Sequence, residues 1–181
     1  MKLTKTIFAL CTLCLLFTSF RLLNDWILYQ TKHCSIYFPS KPSFETEDMN
    51  SAVGKLKIDM YMYEVPDSVA DDNHLYALYE TEYPENSISS DRKEKQDDFF
   101  RGAIDGSAKN VNGKILSEKK IELEGYPGRE VRIDFKDGLA VIRMRYYLVK
   151  NRLFMLQIFT ETKKEQNKSI DRFMESFKLK K

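Results

Sequence analysis

The chain has 181 residues, 43% hydrophobic and 31% charged, and its 12 Phe and 10 Tyr exclude intrinsic disorder. The 29 Lys+Arg and 27 Asp+Glu give +2, but Lys2, Lys5 and Arg21 lie in the first 23 residues; without them the balance is 26 to 27, and no basic footprint for nucleic acid remains. No second long apolar run follows the first, which excludes a multi-span membrane protein.

Residues 1–5 carry two lysines, and residues 6–20 (TIFALCTLCLLFTSF) are almost wholly apolar. This charged-then-apolar order is that of a secretory signal peptide. Residues 1–23 are expected to be a signal peptide or, failing cleavage, an N-terminal anchor. Residues 24–181 then form one extracytoplasmic domain, periplasmic or secreted, which touches a membrane only through an uncleaved leader. Beyond the leader Cys34 is the single cysteine, so no internal disulfide forms. It alternates with Ile36 and Phe38 and reads as a small buried hydrophobe rather than a nucleophile. Trp26 to Tyr29 make an apolar patch, expected to pack on the domain as an edge strand, with a membrane surface as the alternative.

Pro39 and Pro42 end the first strand, and Ser43 to Gly54 reads as a polar loop. From Gly54 the residues Leu56, Ile58, Met60 and Met62 alternate with Lys55, Lys57, Asp59 and Tyr61, which predicts a strand. A loop over 66–73 and a strand over 75–83 follow. Asp91 to Val111 changes period: Phe100, Ile104, Ala108 and Val111 fall on one helical stripe. Asp91 and Glu94 resemble a capped start, and Gly102 and Gly106 would let the helix approach a sheet closely.

Strands then come quickly, over 115–123, 129–135, 139–149 and 153–160. Two-residue turns are predicted at Asp137-Gly138 and Asn151-Arg152. Thr162 and Glu165 form a capping box before a last helix carrying Ile170, Phe173, Met174 and Phe177. Both sheet faces are apolar, so both must be covered. The expected fold class is α+β, a central antiparallel sheet covered by helices on both faces: an α/β/α sandwich.

Several short stretches sharpen that expectation: Ile36-Tyr37-Phe38-Pro39-Ser40-Lys41-Pro42, Gly125-Tyr126-Pro127-Gly128-Arg129-Glu130, the Asn151-Arg152 turn, and Phe173-Met174-Glu175-Ser176-Phe177-Lys178-Leu179. Their order resembles the PsbP-like superfamily over about residues 33 to 179. The resemblance implies an α/β/α fold and a binding or assembly role against a protein partner, with no shared catalytic residues.

Little in the chain carries chemistry. Asp71-Asp72-Asn73-His74 is the nearest approach to a metal cluster, but adjacent loop residues do not converge on one ion, and a solvated loop is expected. No phosphate loop, no nucleophile elbow and no credible triad occurs. No cofactor, no metal and no catalytic residue is therefore assigned. The register implied by the two turns places Arg129 and Gln157 opposite Tyr146, a polar row on an apolar face. Arg129, Tyr146 and Gln157 either satisfy one another at the core margin or form a shallow anion-accepting pocket. The function expected first is an exported, non-catalytic binding or assembly module for an envelope protein partner. The alternative is a small-ligand or lipid carrier, suggested by the Met60, Met62 and Tyr61, Tyr63 alternation; a hydrolase without recognisable motif comes third. A cavity of several hundred Å³ is the mark of the carrier.

Overall fold

The computed structural model describes residues 26–51 and 53–180. The expected leader, residues 1–23, lies outside the described residues, and so does its expected cleavage region except for Trp26. A small sheet is built from β1 (Ile27–Gln30), β2 (Cys34–Phe38) and β10 (Lys178–Leu179), in the order β1-β2-β10. A large sheet contains β3 (Ser43–Ser51), β4 (Gly54–Glu64), β5 (Asn73–Glu82), β6 (Lys114–Leu123), β7 (Tyr126–Phe135), β8 (Ala140–Val149) and β9 (Arg152–Glu161). Its order is β3-β4-β5-β9-β8-β7-β6, every neighbouring pair antiparallel. Two α-helices occur among the described residues, α1 (Lys93–Asn110) and α2 (Lys168–Glu175), with a 3-10 turn at Thr162–Lys164.

The expected α/β/α sandwich is therefore wrong. Strands take 53% of the described residues and helices 19%, so the molecule is mostly β with two sheets. The physical reason lies at the chain ends. Ile27 to Gln30 and Cys34 to Phe38 pair as a hairpin, Lys178 and Leu179 add a third strand, and this second sheet takes up space that a helix layer would need. The helix beside it has eight residues.

One face of the large sheet is filled by this second sheet and α2. Tyr76, Leu78, Phe154, Leu156 and Ile158 meet Ile36, Phe38, Ile170 and Phe173, all buried. Phe38 and Tyr76 pack edge-on against Phe173 at 5.2 and 5.4 Å, and Tyr147 stacks on Phe177 at 5.7 Å. Trp26 packs edge-on against Tyr76 at 5.5 Å, beneath the Arg172 guanidinium. Cys34 is fully buried there; burial, then the Glu80 carboxylate, push its thiol well above the ordinary range. The other face carries Val131, Ile133, Ile142, Met144, Tyr146 and Leu148 against Phe100, Ile104 and Ala108 of α1.

Local readings shift in four places. Ser43 to Ser51 is a strand rather than a loop; it is exposed and polar, so the period of two that marks a half-buried strand is missing, and pairing with β4 holds it. Helix α1 starts after Arg92, which makes no side-chain cap. Asn167, not Thr162, caps α2 by accepting from the Ile170 amide at 3.0 Å, while Glu165 turns to Arg132 with contacts of 2.6 and 2.7 Å. The β8–β9 turn is Lys150-Asn151, flanked by the pair Val149 and Arg152.

Candidate functional site

Helix α1 does not lie centrally over its face of the sheet. Among the described residues its ion pairs to the sheet run to β6 and β7: Asp97 pairs with Arg129 and with Lys120 (2.9 Å), and Arg101 pairs with Glu118. Phe100 lies under the Arg129 guanidinium, 4.6 Å from ring centroid to guanidinium carbon. The helix is thus drawn to one side of the sheet, and the β4-β5-β9 side is left uncovered.

What remains there is an apolar groove of about 730 Å³. Met60, Tyr79, Met155, Met144 and Tyr146 form its floor from β4, β5, β9 and β8. Phe99, Gly102, Ala103, Gly106 and Ser107 line it from α1, and Met49, Ser51 and Val53 close one side from the β3–β4 hairpin. Gly102 and Gly106 do not bring the helix closer, contrary to the sequence expectation. A Cβ placed on either meets no atom within 4 Å, so the glycines leave the helix surface bare where the groove passes. Four methionines give the wall long, soft, unbranched side chains that adjust to differently shaped apolar ligands.

The three residues singled out by sequence separate. Arg129 and Tyr146 are directly opposed, as expected from the Asp137-Gly138 turn, but Gln157 lies opposite Met144, and Met155 takes the place beside Tyr146. Arg129 is 5% exposed and fully engaged: it donates to the Gly128 carbonyl at 2.8 Å and contacts Asp97 and Glu118. It holds the helix and does not line the groove. Tyr146 and Gln157 do line it. The Tyr146 hydroxyl is 2.9 Å from Ser107 Oγ, and burial pushes its phenol up to about 12. Burial likewise raises Tyr79 and Tyr83, so the groove's phenols are neutral near pH 7.

The Asp71 to His74 stretch is absorbed into structure. Asp71 accepts from the Asn73 amide at 2.9 Å and from the Tyr76 hydroxyl at 2.9 and 3.0 Å. Sequence reasoning missed the groove's helical wall. Its available signal was the pairing of Gly102-Ala103 with Gly106-Ser107, small residues one turn apart.

No protein-family model and no curated protein matches the chain. Among solved structures, one similar chain is a protein of unknown function from Pseudomonas aeruginosa, with 9% identity and a TM-score of 0.40. The match covers 78% of this chain and 86% of that one.

Proposed function

We propose that this chain is a binding module that carries an elongated apolar small molecule in the groove between α1 and β4-β5-β9. The observation that carries the reading is the groove itself. Its volume of about 730 Å³ falls inside the range of roughly 300–1,000 Å³ typical of small-molecule sites, and its walls are mostly methionine and aromatic side chains with a few polar groups. The module is non-catalytic on this reading, because the polar groups of the groove are phenols, amides, hydroxyls and the single carboxylate of Asp98, which has no second acid or base in the groove to work with. The leader supports export, and the intact mass of an envelope fraction, beginning between Ser19 and Trp26, tests that part.

The binding test uses N-phenyl-1-naphthylamine, a neutral probe that brightens in apolar surroundings. Saturable fluorescence at one probe per chain is expected, and Gly106→Leu, which fills the space beside the bare helix surface, should weaken it at least tenfold. A flat titration with folded protein sinks the proposal.

The protein-partner reading keeps one specific observation. Strand β3 is a nine-residue edge, exposed along nearly its whole length, whose outer hydrogen-bonding groups are open to an added strand.

A further inference from the structure

We infer that the ligand selected by this groove is a hydrophobic cation, an apolar body bearing an amine or quaternary ammonium group. The inference rests on the proposed groove reading and adds the charge of the ligand to it. Among the described residues, those lining the groove include no Lys, Arg or His, and Asp98 is their one carboxylate. A fatty-acid-like anion would therefore find no counter-ion, while a cation finds one.

Asp98 also differs from its neighbour in the chain. Asp97 is paired twice, with Lys120 and Arg129, whereas Asp98 has no ion-pair partner among the described residues. The groove continues into a smaller recess of about 410 Å³, and Asp98, Tyr83, Phe99 and Val53 line both spaces. Tyr83 and Phe99 meet edge-on at 5.1 Å, so aromatic surface lies at the same mouth as the carboxylate. Aromatic faces carry negative quadrupole density, and with a carboxylate they make a site for an alkylammonium head. Lys95 lines the recess but not the groove, which places the favoured position of the head on the groove side of Asp98.

Competition against N-phenyl-1-naphthylamine tests the charge directly. The competitors share a twelve-carbon chain and are used below micelle formation: dodecyltrimethylammonium, dodecyl maltoside and dodecyl sulfate. The cation should displace the probe at about tenfold lower concentration than the anion, the sum expected from one exposed ion pair and one cation–π contact. Asp98→Asn should cut the preference to the few-fold that the cation–π contact alone supplies. Glu94→Gln, which removes the same charge one turn earlier and outside the groove, should leave the preference at its wild-type value. Equal displacement by cation and anion in the wild type overturns the inference while leaving the groove reading intact. So does a preference that Glu94→Gln erodes as much as Asp98→Asn, because it would then report a diffuse field. If the probe does not bind at all, both readings fall together.

Discussion

The two faces of the large sheet begin from similar strands and end differently. On one, Tyr76, Phe154, Leu156 and Ile158 are matched by aromatic and branched side chains from a second sheet and α2, and the space closes. On the other, a single helix is tethered by Asp97 and Arg101 to β6 and β7, and the remaining width stays open beside Gly102 and Gly106. On the open face, ion pairs as well as apolar area join the helix to the sheet. Phe100, Ile104 and Ala108 give the helix its buried stripe over β7 and β8, and the ion pairs join the same helix to β6 and β7.

The difference should be largest in the response to truncation. Phe173→Ala, in the closed face, should cost about 3–5 kcal/mol, whereas Met155→Ala on the groove floor should cost about 1 kcal/mol, because its side chain already borders open space. Urea denaturation of both variants checks this; equal losses would show the groove to be packed in solution. Next comes the tether. Arg129→Ala should cost roughly 2 kcal/mol through lost charged hydrogen bonds and its contact with Phe100, and should free the amides of α1 to exchange faster. Unchanged exchange protection in α1 would show that charge does not hold the helix.

Tyr146 offers a pH-dependent view. Its folded pKa lies near 12, above the unfolded value of about 10, so the folded state holds the phenolic proton more tightly. The stability it contributes is full below pH 10 and is lost as pH rises toward 12. Tyr146→Phe should remove that share of the alkaline destabilisation and cost about 1 kcal/mol at neutral pH through the Ser107 hydrogen bond, measured by thermal melts from pH 8 to 12. The smallest effect is a gain: Gly106→Ala should stabilise by about 0.5–1 kcal/mol, since the helix interior prefers alanine and nothing stands within 4 Å. Destabilisation instead would mean that the helix sits closer to the sheet in solution.

How much of this could be read from sequence differs by element. The β7–β8 register was legible because Asp137 and Gly138 both take positive φ, 54° and 89°, as a tight hairpin turn demands. It puts Glu130 opposite Arg145, with Nε to Oε2 at 2.6 Å, and Arg132 opposite Arg143, a like-charge pair in which Arg132 takes the Glu165 carboxylate and Arg143 that of Glu130. The next turn was misplaced by one residue because tertiary bonds fix it. Asn151 Nδ2 donates to the Tyr83 carbonyl at 2.6 Å, its own carbonyl accepts from the Tyr83 amide at 2.8 Å, and Ser90 bonds Lys150. That slip moved Gln157 off Tyr146 but not off its face. Two strands of the second sheet were legible, Cys34 to Phe38 and the edge strand at Trp26 to Tyr29, but that they form a sheet apart, completed by a two-residue third strand, was not, because such short strands take their partners from one another. The groove was half legible: Met60, Tyr146 and Gln157 stood out on the strands, but the sideways placement of α1 depends on pairs such as Asp97 with Arg129 that no local pattern reveals.

Strand β3 has a consequence for how the protein behaves in crowded solution. Among the described residues the seven-stranded open sheet ends at β3 in a row of amides and carbonyls with no neighbouring strand, the template from which filaments grow. Glu45, Glu47 and Asp48 stand within that row without a single Lys or Arg, so two copies approaching edge to edge bring like charges together. The guard is electrostatic, not steric. At 1 M salt, where charges are screened over about 3 Å, it falls away, and edge-to-edge association should begin there rather than at 0.15 M, where the screening length is about 8 Å.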